Sequence, residues 1–290
     1  MVPAPSRPEP TGFFSFATAS AATDRVHVNR RIIENRPEDS AGLSQLPVPR
    51  QRADLLLVAR GFFESRAKAQ EAIAAGLVRV GGEVLRKASA MVEAEADIAA
   101  APAYPFVSRG GVKLEHGLAT FGFDPKGRIC LDIGASTGGF TDVLLRRGAA
   151  KVICVDVGHG QLHRTIAIRP EVVALEGTDA RALTPAMLAA PPQLIVCDVS
   201  FISLKLVLPH VLSLAAAEAA LVALIKPQFE AGPGELKKGI MRDAARREEI
   251  CRDIARFVEG LGWRVVGVVA SPIAGGDGNC EFLLGAEVRR

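Results

Sequence analysis

The feature that most constrains this chain is an alternation running from Ile129 to Leu284. Short apolar runs (Ile129–Ile133, Val152–Val155, Val172–Leu175, Leu194–Cys197 and Leu221–Ile225) are separated by stretches of helical length. Apolar runs without polar alternation indicate strands buried on both faces, and hence a parallel sheet covered by helices. Arg242–Glu259 reads as a long charged helix, and Arg264–Ala270 and Glu281–Leu284 as the last two strands. Sheets of this kind bind ligands at the carboxyl ends of their strands. The expected fold class is α/β with a second, smaller α+β domain in front.

The smaller domain is read over residues 50–100. Ala53–Arg60 is a short helical run closed by Gly61, and Ser65 caps a second helix, Arg66–Ala75, closed by Gly76. Leu77–Val80 and Glu83–Leu85 flank Gly81-Gly82 as a β-hairpin. Residues 1–49 are rich in Pro, Ser, Ala and Thr, hold no apolar period, and are expected to be a disordered tail. Within them Phe13–Ala22 is weakly apolar, has no cationic leader and follows four prolines, so a cleaved signal is not expected. Ala99–Pro105 reads as a small-residue connector, residues 101–107 as the linker, and 108–290 as the large domain.

Charge looks uninformative until it is divided. The net charge of the 290 residues is +3, which by itself argues weakly against a nucleic-acid partner. Between residues 50 and 90, however, eight basic residues face four acidic ones, while residues 91–100 carry only Glu93, Glu95 and Asp97. The small total hides a basic module beside an acidic border. Aromatic residues are 5% of the chain, fewer than a binder that stacks successive bases on exposed rings would carry. The five cysteines form no Cys-x-x-Cys pair, which fits reduced thiols in a cytoplasmic protein and no metal site. The apolar stretch Val211–Ile225 is broken by Glu218 and is too short to cross a bilayer, so no membrane partner is expected.

The first strand runs into Asp132-Ile133-Gly134-Ala135-Ser136-Thr137-Gly138-Gly139-Phe140. A nicotinamide fingerprint needs a glycine where Ser136 stands, and a phosphate loop needs a Gly-Lys-Ser/Thr ending that is absent. An acid-x-Gly-x-x-x-Gly turn, with a second acid ending the next strand, suits S-adenosylmethionine, which has an amino-acid head and a ribose but no pyrophosphate. Asp132, Gly134, Ser136, Gly138, Gly139 and Phe140 are the candidate turn residues. Asp156 is placed for the ribose hydroxyls and Asp179 for the adenine amino group. Asp198 and Lys226 end the fourth and fifth strands, Glu281 opens the last, and Lys113 precedes the sheet. Spacing leaves open whether Glu281 and Lys113 reach the same cleft.

The motifs Ser-Arg-Gly-Gly-Val-Lys-Leu (108–114), Leu-Asp-Ile-Gly-Ala-Ser-Thr-Gly-Gly-Phe-Thr (131–141), Cys-Asp-Val-Ser-Phe-Ile-Ser (197–203), Ile-Lys-Pro-Gln-Phe-Glu (225–230), Lys-Gly-Ile-Met-Arg-Asp (238–243) and Ser-Pro-Ile (271–273) with Gly-Asn-Cys-Glu-Phe-Leu (278–283) together resemble the TlyA (hemolysin A) family of ribosomal RNA 2′-O-methyltransferases. The catalytic domain of that family is similar to the FtsJ type. The resemblance implies a Rossmann-like S-adenosylmethionine-dependent methyltransferase sheet. It also implies a Lys-Asp-Lys-Glu tetrad on Lys113, Asp198, Lys226 and Glu281 in one cleft, and methylation at cytidine within ribosomal subunits. Residues 52–80 resemble the small RNA-binding module first known from ribosomal protein S-four, with Gly81-Gly82 where Asn-Gly is usual and Lys87-Ala88 where Lys-Pro is common.

On this reading Lys226 is the general base and must be neutral when it acts, while Asp198 and Glu281 orient the lysines and balance charge. Arg66 and Lys68 lie in the first turn of a helix, where cations are disfavoured unless a phosphate joins them. Arg52, Ser65, Arg66, Lys68, Arg79 and Arg109 are the candidate RNA contacts. The competing expectations are a small-molecule methyltransferase, a non-catalytic RNA-binding assembly factor and, less favoured, a pore-forming cytolysin. Oligomeric state is not legible.

Overall fold

The computed structural model describes residues 49–232, 234–275 and 278–289. The tail expected over 1–49 lies, except for Pro49, outside the described residues.

The small domain holds strand β1 (Arg50–Arg52), helices α1 (Ala53–Ala59) and α2 (Arg66–Ala74), and strands β2 (Val78–Val80), β3 (Glu83–Val84), β4 (Met91–Glu93) and β5 (Ile98–Ala100). The Ser65 hydroxyl accepts the backbone N–H of Lys68, the expected cap. Strand β2 pairs with both β3 and β5, and β1 pairs with β4, all antiparallel. The connector expected from Ala99 therefore begins only after Ala100: Ala99 and Ala100 take strand geometry because the exposed edge of β2 offers them backbone partners. Ala53, Leu57, Ala69, Ile73, Val78 and Ile98 lie in a core of this domain's own.

The large domain contains α3 (Gly110–Phe121), β6 (Ile129–Ile133), α4 (Gly139–Arg146), β7 (Lys151–Asp156), α5 (Arg164–Ala167), β8 (Val172–Glu176), β9 (Leu194–Cys197), α6 (Leu204–Ser213), β10 (Glu218–Ile225), α7 (Pro227–Glu230), α8 (Ala244–Gly260), β11 (Arg264–Ala270) and β12 (Phe282–Arg289). Seven strands form one sheet in the order β11-β12-β10-β9-β6-β7-β8. The side chains of each central strand divide between two cores. Leu131, Ile153, Ile195 and Leu221 pack with α6 and α8 on one face, while Cys130, Val152, Leu194 and Val222 pack with α3 and α4 on the other. Strand side chains alternate sides, so a run buried on both faces is apolar at nearly every position, with Asp132 of β6 a buried exception.

One expectation is corrected here. The sheet is not wholly parallel, because β12 runs antiparallel between β10 and β11. Among the described residues no helix lies between β11 and β12, and a direct connection without a crossover joins antiparallel neighbours. The consequence matters for the site: the start of β12 lies at the edge where the parallel strands end, and Phe282 pairs with Ile225. The apolar stretch 211–225 is split between the end of α6 and β10.

Candidate active site

The glycine turn between β6 and α4 needs its glycines for measurable reasons. Gly134 has φ +79°, and a Cβ there would lie 2.7 Å from the Asp198 carbonyl oxygen. A Cβ on Gly139 would collide with the Ser108 hydroxyl. The turn is thus drawn against both the end of β9 and the start of α3. The helix α3 can approach this closely because Gly111 lies against the Phe106 ring, where no Cβ fits. That approach sets Lys113, in the first turn of α3, over the carboxyl edge of the sheet.

Two ion pairs occupy that edge. The Lys113 ammonium meets the Glu281 carboxylate at 2.5 Å, and the Lys226 ammonium lies 2.6 Å from Asp198 Oδ1. Lys226 donates to the Ser200 hydroxyl at 2.8 Å. Its contact with Asp198 is ionic and lies off the line of a hydrogen bond, since that buried oxygen has no hydrogen-bond partner. Lys113, Lys226 and Glu281 are all buried. Lys113 and Asp198 line one small cavity of about 110 Å³ with Ser108, Ser136, Thr137 and Phe140. Glu281 and Lys113, which spacing left open, lie at the same edge as Asp198 and Lys226, and the reversed direction of β12 is what delivers Glu281 there.

A larger cavity of about 500 Å³ adjoins it, with Gly134, Ser136 and Asp198 common to both. This is the size of a small-molecule site. Its charged lining is Asp156, Asp179, Asp198 and Arg181, an excess of negative charge that opposes a phosphate and favours a cationic ligand. The residues present therefore fit a sulfonium nucleoside better than a nucleotide. Asp156 accepts the N–H groups of Ser136 and Gly158, each at 2.8 Å, which leaves further lone pairs. Asp179 is held by Arg181, whose guanidinium is the first cause keeping that carboxyl low, at about 2.

Asp132 behaves differently from its neighbours. It lines neither cavity; it is fully buried beneath the turn and accepts the Thr141 hydroxyl at 2.6 Å. Burial pushes its carboxyl up to about 7, with the Thr141 hydrogen bond opposing. Gly138 and Gly139 shape the turn, and of these only Gly139 borders a cavity.

The sequence reading missed several residues. Ser200 touches Lys226 but nothing in its spacing separates it from its neighbours. Thr141 is reached only through the packing of α4 on β6. Phe201, at φ +63°, stands 90% exposed at the cavity rim and contacts Phe229, with ring centroids 4.9 Å apart. Glu230 accepts the Ser203 hydroxyl at 2.5 Å and the Leu204 N–H at 2.8 Å, tying the segment after β10 to the loop after β9.

In the small domain the candidate RNA contacts are held by internal partners. Asp54 is fully buried and accepts Arg52, Arg66 and Gln70, which keep its carboxyl well below the usual range, Arg52 first among them. Lys68 pairs with Glu64 at 2.6 Å. The cost of cations in the first turn of α2 is thus offset within the protein. Arg79 donates to the Gly82 carbonyl. Arg109 sits between the domains, 3.7 Å from Glu71 of α2 and donating to the Ala274 carbonyl at 2.6 Å.

Comparison with known proteins now decides the family. Residues 106–288 match the FtsJ-like methyltransferase family and residues 51–98 match the S4 domain. The chain is 45% identical over 238 residues to the 16S/23S rRNA (cytidine-2′-O)-methyltransferase TlyA of Mycobacterium tuberculosis, covering 81% of this chain and 89% of that one.

The chain belongs to the TlyA family.

It is also 40% identical over 234 residues to the protein named Hemolysin A in Brachyspira hyodysenteriae, covering 80% of this chain and 98% of that one. A solved structure from Streptococcus thermophilus that carries a hemolysin name superposes with a TM-score of 0.66 at 38% identity, covering 83% of this chain and 90% of that one. The family pairing of an S4 domain with an FtsJ-like methyltransferase domain is the architecture of this chain. Among the described residues no helix is long and apolar enough to cross a membrane.

Proposed function

We propose that this chain transfers a methyl group from S-adenosylmethionine to the ribose 2′-hydroxyl of cytidines in ribosomal RNA, acting on ribosomal subunits in the cytoplasm. The observation that carries the reading is the meeting of two ion pairs, Lys226 with Asp198 and Lys113 with Glu281, at the carboxyl edge of the sheet, where Asp198 lines both cavities and Lys113 the smaller one. The M. tuberculosis relative, named for cytidine 2′-O-methylation of 16S and 23S rRNA, supplies the substrate class.

S-adenosylmethionine supplies an activated methyl group on a sulfonium centre. Asp156 would hold the ribose of that cofactor and Asp179 the adenine, while the backbone of Gly134, Ser136, Gly138 and Gly139, with Phe140 behind it, shapes the turn for the amino-acid head. Asp132 supports the turn from below through Thr141. Lys226 Nζ takes the proton of the ribose 2′-hydroxyl; a positioned base contributes ~10²–10⁴-fold. To act it must first lose its own proton. Ser200 and Asp198 then fix where the nitrogen lone pair points, since they are its two polar contacts. Lys113, balanced by Glu281, faces the small cavity beside the Asp198 carboxylate and orients the incoming ribose. The exposed Phe201 ring at the rim is available for a nucleobase to stack on.

The S4 domain would bind RNA through phosphate contacts from Arg52, Ser65, Arg66, Lys68, Arg79 and Arg109, exchanging some internal ion pairs for phosphate. The test of the whole reading is Lys226→Ala: it should retain S-adenosylmethionine binding and lose methyl transfer to ribosomal subunits. A variant that methylates at the wild-type rate removes Lys226 from the mechanism.

A further inference from the structure

The wall of the large cavity between Asp156 and the glycine turn is a loop, residues 158–163, that places Gln161 in the cavity lining. The loop has no regular structure of its own, yet it is folded tightly. A Cβ on Gly158 would lie 2.1 Å from the Gln161 amide, and one on Gly177 would lie 2.3 Å from the His159 ring. Asp156 holds its start through the Gly158 N–H, and one side chain holds its middle. Glu176, the last residue of β8, accepts the N–H of Gly160 at 2.9 Å through one oxygen, and those of Gln161 at 3.0 Å and Leu162 at 3.3 Å through the other. These bonds keep its carboxyl below its ordinary range, the Gly160 N–H first among them. From Leu162 the chain passes to His163, whose N–H bonds to the Thr137 carbonyl in the glycine turn at 3.1 Å.

An acid ending a strand at the carboxyl edge of such a sheet reads from sequence as a ligand contact. Here its side chain turns to loop backbone, and Glu176 does not line the cavity. Three successive amides converging on one carboxylate leave the loop little freedom while that charge is present.

We propose that Glu176 is a positioning residue for cofactor binding, which acts by fixing the Gly158–Leu162 loop against the nucleoside side of the cavity. The inference rests on reading that cavity as the S-adenosylmethionine site. It predicts an effect on affinity and none on the chemical step, because Glu176 touches neither the tetrad nor the cavity.

The experiment is calorimetric titration of the full chain with S-adenosylhomocysteine, alongside methylation kinetics, for wild type, Glu176→Ala and Glu176→Gln. Glu176→Ala should weaken binding by about tenfold or more and raise the KM for S-adenosylmethionine, with kcat at saturation unchanged. Glu176→Gln keeps an oxygen for Gln161 and Leu162 but cannot accept from Gly160, so it should fall between the two. It is also nearly isosteric, which keeps the test valid if the alanine variant folds poorly. Wild-type affinity in both variants overturns the role of Glu176 and leaves the cofactor site standing. A fall in kcat with affinity unchanged overturns it equally. Failure of the wild-type chain to bind S-adenosylhomocysteine sinks the cofactor reading itself.

Discussion

At the scale of single residues, chemistry follows from which partner each charge meets. Lys226 is buried and contacts Asp198 and Ser200, so replacing it by alanine should cost methylation ~10²–10⁴-fold with cofactor binding within a few-fold, measured by single-turnover transfer and by titration. Asp132 makes a second, pH-dependent prediction. Its carboxyl is raised to about 7 by burial, whereas in the unfolded chain it ionises near ~4. The folded state therefore holds the proton more tightly. The stability this contributes is full below ~4 and drains away as pH rises through about 7. The excess stability of wild type over Asp132→Asn should thus fall by about 2 kcal/mol or more between acid and mildly alkaline pH. Denaturant melts at both ends of that range check it, and an equal difference at both would contradict the assigned environment. Asp198 and Lys226 were legible in the sequence as polar residues closing apolar runs. Ser200 and Glu230 were not, because a hydroxyl three residues beyond a strand and an acid after a proline carry no periodic signal. Asp132 was legible as part of the turn, but its burial depends on how α4 packs over β6.

At the scale of elements, the six motifs converge because neighbouring segments are stitched together. The glycine turn abuts the end of β9, so Gly134→Ala should strain a left-handed position and press on the Asp198 carbonyl. A cost of ~1–3 kcal/mol is expected in thermal or denaturant melts, together with lost cofactor affinity. Glu230 ties the β9 loop to the segment following Lys226. Glu230→Ala should lower kcat by ~10–100-fold through misplacement of Ser200 and Lys226, while S-adenosylhomocysteine binding stays near wild type. A weakened affinity at unchanged kcat would contradict that division of labour. The strands β6, β7, β9 and β10 were legible because both of their faces are buried. The direction of β12 was not, since hydrophobic pattern does not encode strand polarity. That undetermined direction left Glu281 unplaced, and the close approach of α3 to the glycine turn, equally unreadable from spacing, left Lys113 unplaced.

At the scale of the whole molecule, a near-neutral chain combines a basic domain with a cavity whose charged lining is mainly acidic. Many of the cations in the S4 domain are already paired internally, so RNA binding should be an exchange of partners. Its affinity should fall at least ~10-fold between 50 and 200 mM salt, as filter binding with ribosomal RNA would show, and an affinity indifferent to salt would count against phosphate contacts. The domain contacts, Glu64 with His163 and Glu71 with Arg109, were invisible to sequence because they join residues of unrelated local pattern. The most direct test of the account combines all three scales. Ribosomal subunits from cells lacking this protein are incubated with the purified chain and methyl-labelled S-adenosylmethionine, and the labelled nucleotides are mapped. The account predicts label on cytidine 2′-hydroxyls with the wild-type chain and none with Lys226→Ala. Absence of label with wild type, label on a base, or equal label with both proteins would contradict it.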